Sequence, residues 1–137
     1  MNKSKSIVLF LLFALLIPSA AFAQSELFAK KINEDFVAQI QPELLKQAAD
    51  PNTSPYDFML IAKRLGVYGN KDAVPVMVPF LNDPVKGHSA CTALQAMPFE
   101  ESLQALRDAV GTVDNPLQKA GVIDALGMRE DAGDVDV

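Results

Sequence analysis

Apolar residues recur at helical spacing through most of this chain. Phe28, Ile32, Phe36 and Ile40 stand four apart, with Lys30, Lys31, Glu34 and Asp35 between them, which predicts helix from Ser25 to Asp50. Pro42 must interrupt that run, because a proline inside a helix removes a donor and clashes with the preceding turn. It also suits the first position of a new helix, Pro42 to Ala49, with Leu44, Leu45 and Ala48 apolar. Asp50-Pro51-Asn52-Thr53 is a turn cluster. Ser54 then reads as an N-cap, Pro55 as the first helical residue and Asp57 as a first-turn acid. Phe58, Ile61, Ala62 and Leu65 share one face, Gly66 is expected to close the helix as a left-handed cap, and Gly69-Asn70 to turn the chain. Val74, Met77, Phe80 and Leu81 mark a second amphipathic helix, ended by Asn82-Asp83-Pro84. Pro75 fits that helix's first turn, whose donors have no intrahelical partner, but Pro79 should kink or shorten it at a cost of about 3 kcal/mol.

The unit then recurs. Leu65 aligns with Leu94 and Leu126 at spacings of 29 and 32, Ile61 with Ala90 and Val122, and Ala62 with Cys91 and Ile123. In the second helix Val74 aligns with Leu103 and Val135, and Met77 with Leu106. Asp83-Pro84 and Asn115-Pro116 both precede the first helix of a unit. Columns of this kind are what stacked helix pairs need, since a single pair cannot bury its own apolar face. Phe58, Ile61, Ala62, Leu65, Val74, Met77, Leu81, Cys91, Leu94, Leu103, Leu106, Ile123 and Leu126 form the predicted core. Phe28, Phe36 and Phe80, also on apolar faces, read as core residues.

The segments RLGVYGNKDAVPVMVPFL (64–81) and ALGMREDAGDVDV (125–137) resemble HEAT-like repeats of the short, roughly thirty-residue kind. In that family an apolar helix ending in Ala-Leu-Gly is followed by a polar turn with Asp, then Ala-Val-Pro and a second apolar helix. The middle unit departs from it with Leu94-Gln95, and the third has Asp134-Val135-Asp136 where Ala-Val-Pro is expected. The resemblance covers residues 54–137 and implies an all-α, armadillo-type α-solenoid of stacked antiparallel helix pairs. It also implies an exported scaffold or interaction protein, a kind that is often long and sometimes carries further domains. Gly127 reads as a helix cap, and Glu130, Asp131, Asp134 and Asp136 as part of a solvated repeat turn. Residues 132–137 look like the opening of a helix that does not continue, so the chain reads as an N-terminal fragment.

The first 23 residues stand apart. Lys3 and Lys5 precede eleven apolar residues, Ile7 to Ile17, and Ala21-Phe22-Ala23 supplies the small residues of a signal-peptidase site. Eleven residues fall short of the about 20 that span a bilayer as a helix. The expected organisation is therefore signal peptide (1–23), helical lead-in (24–53), and HEAT-like repeats at 54–84, 85–115 and 116–137, the last incomplete. Localisation is expected to be periplasmic or secreted, with no membrane span after cleavage. Removing Lys3 and Lys5 takes the formal charge from −5 to −7, which disfavours nucleic acid as a partner. Cys91 is the only cysteine, so stability must come from packing and not from an internal disulfide.

Candidate chemistry is sparse. His88 and Cys91 stand three apart on a predicted helix, but a metal site needs at least three protein ligands, and a Cys–His pair needs an orienting group and an oxyanion hole. Cys91 also occupies the column of Ala62 and Ile123, which predicts packing. Glu34-Asp35 and Glu100-Glu101 are adjacent acids that point apart on a helix. Glu130, Asp131, Asp134 and Asp136 lack the spacing of a calcium loop. No catalytic, cofactor-binding or metal residue is therefore assigned, and no cofactor is expected. The expected function is a non-enzymatic exported scaffold that binds a protein partner. The alternative is the N-terminal repeat module of a longer exported enzyme with its catalytic domain downstream. A third reading follows from the resemblance alone: short HEAT-like repeats also occur in lyases that attach bilin chromophores.

Overall fold

The computed structural model describes residues 21–133, which contain helices and turns and, among the described residues, no strand. Residues 1–20 of the expected signal peptide (1–23) and the readings placed on Asp134, Val135, Asp136 and Val137 lie outside that range. The chain divides into two compact units between Asp35 and Phe36. In the first, residues 21–35 form helix α1, with Phe22, Leu27, Phe28 and Ile32 exposed. Phe28, expected in the core, is 68% exposed, because among the described residues of its unit α1 has no second helix to cover the stripe.

The second unit begins with a wide π-turn, Phe36–Ile40, that runs into α2, Gln41–Ala49. Pro42 explains the widening: its ring and missing donor cannot continue an α-helical ladder, and a π-turn absorbs the mismatch. Helix α3 spans Pro55–Tyr68, α4 Val74–Met77, α5 Gly87–Ala96, α6 Glu100–Thr112 and α7 Pro116–Gly133. Short 3₁₀ segments, Lys71–Ala73 and Val78–Asn82, flank α4. The break at Val78 is the effect expected of Pro79, which has no N–H to offer Pro75.

The starts of α3 and α7 and the turn that leads into α5 share one device. Ser54 Oγ accepts the Asp57 N–H at 3.1 Å. One Asp83 carboxylate oxygen accepts the N–H groups of Val85 and Lys86, each at 2.8 Å. Asn115 Oδ1 accepts those of Leu117 and Gln118 at 3.0 and 3.3 Å. Each cap is followed by a proline whose fixed φ suits the first turn and whose missing donor costs nothing there.

Helices α3, α5 and α7 lie side by side in one row; α2, α4 and α6 form a second row against them. The core between the rows contains Phe58, Ile61, Ala62, Leu65, Val74, Met77, Leu81, Cys91, Leu94 and Leu106, all buried. Three residues of the thirteen-member predicted core differ, and Phe80, also read as core, is half-buried. Leu103 and Leu126 are half-buried, and Ile123 is 52% exposed, although Ala62 and Cys91 in its column are 1% and 6% exposed. The reason is position: α5 covers Ala62, α7 covers Cys91, and no described helix covers the far side of α7.

Both glycine caps also need correction. Helix α3 continues through Gly66 to Tyr68 and ends at Gly69, and no described residue has positive φ. Gly66 is needed for space instead. A Cβ there would meet Ala93 Cα at 3.1 Å and Ala96 Cβ at 3.3 Å, so α3 and α5 approach through a small-residue contact. Gly127 lies within α7, which runs through Glu130 and Asp131 where a repeat turn was expected.

Candidate binding face

The structure separates the two residues that most resembled a reactive pair. His88 is exposed on the outer side of α5, whereas Cys91 is buried and directs its Sγ at the Gly121 carbonyl of α7, 3.5 Å away. Burial pushes the Cys91 thiol up to about 11, with the Asp124 carboxylate adding to the rise. A thiol so held is a weak nucleophile, because the thiolate is the reactive form. The paired acids are engaged singly. Glu100 meets Arg107 at 3.2 Å, Glu101 meets Lys71 at 3.5 Å, and Glu34 meets Lys30 within α1. Among the described residues, no three His, Cys, Asp or Glu side chains gather as metal ligands would. None of the described helices is long and apolar enough to cross a membrane.

Polar networks that the sequence reading did not single out bind the helices together. Gln41 is buried at the start of α2; its amide donates to Asn70 Oδ1 at 2.6 Å and accepts the Asn70 N–H at 2.9 Å. Arg129 on α7 donates to the Leu94 carbonyl, the Ser102 hydroxyl and the Phe99 carbonyl at 3.2, 2.6 and 3.3 Å. It thereby satisfies a carbonyl in the last turn of α5, where the helix dipole favours a cation. Desolvation draws the Arg129 pKa below the ordinary arginine value, with Glu100 opposing and Arg107 reinforcing the shift. Ser102 is fully buried and sits 29 residues after buried Ala73. A hydroxyl following Leu44 and Ala73 in that column, at steps of 29, was the available sign that something polar meets it.

Outer surfaces of the two rows differ. The α2–α4–α6 side exposes Glu43, Lys46, Lys71, Asp72, Glu100, Glu101, Arg107 and Asp108. The α3–α5–α7 side exposes Met59, Val67, Ala96, Ala120, Ile123 and Met128, with Lys63, Thr92 and Asp124 among them. Val67, Ala96 and Met128 occupy equivalent positions on successive helices of that row. Between α3 and α5 the surface sinks into a groove of about 380 Å³, floored by Gly66, Ala93 and Ala96 and walled by Met59 and Val67. A wider, shallower depression on the other row, beside Pro75, Val78 and Pro79, is bridged by the Lys71–Glu101 ion pair. No protein-family model, no characterised protein and no solved structure matches this chain.

Proposed function

We propose that this chain is an exported HEAT-like solenoid that acts as a scaffold, binding a protein partner on the outer surface of the α3–α5–α7 row. The observation that carries the reading is that surface itself. Soluble chains rarely expose contiguous apolar patches, and those they do expose commonly mark binding sites. Here apolar side chains stand at matching positions on three adjacent helices, while the opposite row exposes charged side chains around the shallower apolar depression at Pro75, Val78 and Pro79.

The repeat reading is supported by the cap-and-proline pairs at Ser54, Asp83 and Asn115, which share the 29 and 32 residue spacing of the apolar columns. It is also supported upstream: Leu44 and Ala48 of α2 precede Ala73 and Met77 by 29 residues, and all four are buried. Export rests on the pattern of residues 1–23.

Two measurements test the proposal. Fractionation of cells producing the full chain should recover it outside the cytoplasm, and deletion of residues 1–23 should retain it inside. A photo-reactive residue at Val67 or Met128 should give a discrete protein adduct that the same group at Gln47 or Gln104 does not. Cytoplasmic retention of the full chain would refute export. Equal adducts from both rows would refute the assignment of the face.

A further inference from the structure

The α3–α5 groove has a charge character opposite to that of the whole molecule. The chain is formally −5, yet no carboxylate lines this groove; its charged lining residue is Lys63, and His88 faces it from α5. Among the described residues, no carboxylate lies within ion-pairing distance of the Lys63 ammonium. The nearest acid in the same outer register is Asp124, two helices away on α7, with Thr92 between. An unpaired cation beside an apolar slot complements an occupant that is apolar on one side and anionic at the edge.

The shape indicates the occupant's class. Gly66, Ala93 and Ala96 leave a floor with little side-chain height, so large apolar side chains can seat on it. Met59, in the wall, is a side chain that adapts to varied partners. The apolar surface also continues past the groove to Ala120, Ile123 and Met128 on α7, an extent that suits an amphipathic helix better than a single small amphiphile.

We propose, building on the partner-binding reading above, that this groove takes an acidic amphipathic helix of a protein partner. Its apolar stripe lies over Gly66, Ala93 and Ala96, and a carboxylate at its edge meets Lys63.

The test uses the full-length protein and two labelled synthetic helices of about 18 residues, five turns. Both carry the same leucine stripe; the flanking residues are glutamate in one and lysine in the other. Fluorescence anisotropy at low ionic strength should show the acidic helix binding more tightly. Lys63→Glu should weaken it about fivefold and improve the lysine helix, a preference that shrinks in high salt. Ala96→Gln, neutral and helix-compatible, should raise the floor and weaken both peptides. Both substituted residues are exposed, and circular dichroism checks that each variant folds. Failure of both peptides to bind, or equal affinity for the two, overturns the proposal. So does acidic-helix binding that survives Lys63→Glu and Ala96→Gln. Anionic vesicles that bind in place of the peptide, and are lost with Ala96→Gln, also overturn it. Row-specific crosslinking would be unaffected by these peptide results, so the two readings fail separately.

Discussion

Helix α5 meets α3 on one side and α7 on the other, and the two junctions are built from different chemistry. Toward α3 the contact is made of small and apolar residues: Ala62, Leu65 and Gly66 against Ala90, Ala93 and Leu94, all buried. Toward α7 it contains polar links. Cys91 Sγ faces the Gly121 carbonyl, Gln118 Nε2 reaches the Pro84 carbonyl at 3.4 Å, and Arg129 caps the end of α5. The first junction is closed by shape and the second partly by hydrogen bonds. Damage to the first should therefore appear as cavities or overpacking, and damage to the second as stranded polar groups.

The largest expected effect separates equivalent leucines. Leu65 is fully buried, so Leu65→Ala should cost about 2–5 kcal/mol in urea unfolding. Leu126, at the same register in α7, is half-buried, and its truncation should cost less than half as much. Equal losses would mean that the far side of α7 is covered in solution. A second pair contrasts the closing mechanisms directly. Gly66→Val pushes a side chain against the α5 backbone and should cost about 1–3 kcal/mol by overpacking. Arg129→Met should cost a similar amount, about 1.5–3 kcal/mol, because its hydrogen bonds are charge-assisted. The Arg129→Met loss should shrink in a Ser102→Ala background without vanishing, because the Leu94 and Phe99 carbonyls still lose their donor, whereas the Gly66→Val loss should remain in full, a difference that a double-mutant cycle reads.

Cys91 tests whether the second junction is as tightly closed as its geometry implies. Its folded pKa, about 11, lies above the usual value of 9.0 that the unfolded chain should show. For a group with a raised folded pKa, the linked stability is fully present below the unfolded value and lost as pH rises toward the folded one. Stability should accordingly fall between about pH 9 and pH 11, on the order of 1 kcal/mol by pH 10. Cys91→Ala should remove that slope. Labelling of Cys91 by a thiol reagent should be slow until denaturant is added; rapid labelling of the native protein would show that α7 opens readily.

The packed helices were legible in the sequence because apolar residues recur at helical spacing and at offsets of 29 and 32, and prolines stand at or just before several starts. Phe58, Leu65, Met77, Leu94 and Leu106 all lie where periodicity predicts. Periodicity assigns a residue to a face, however, and not to a place in the stack. Ile123 shares a column with Ala62 and Cys91, yet it is exposed because a column is buried only where another helix follows. Gly66 misled for a related reason: at the end of an apolar run it resembles a cap, but its role is set by Ala93, 27 positions away. The candidate face was less legible still. Val67, Ala96 and Met128 look like ordinary surface residues until three helices place them in line. Arg129 gave no local sign of the three oxygens it would meet.

The smallest effect compares the caps that start the two junctions' later helices. Asp83 caps the turn into α5 and Asn115 caps α7, in matching geometry. The backbone N–H groups of Lys86 and Val85 hold the Asp83 pKa below the usual aspartate value, against a smaller opposing push from burial. A group with a depressed folded pKa contributes stability that is present above its unfolded pKa and lost as pH falls through the folded one. Acid should therefore weaken the start of α5 and leave the start of α7 unchanged. Asp83→Asn keeps an equally good cap, so at pH 6 it should cost no more than about 0.5 kcal/mol. The variant's stability should then fall less steeply than the parent's from pH 5 to pH 3, and Asn115→Asp should steepen that fall. Parallel acid profiles for parent and Asp83→Asn would mean that the two oxygen-to-amide contacts at Asp83 do not persist in solution.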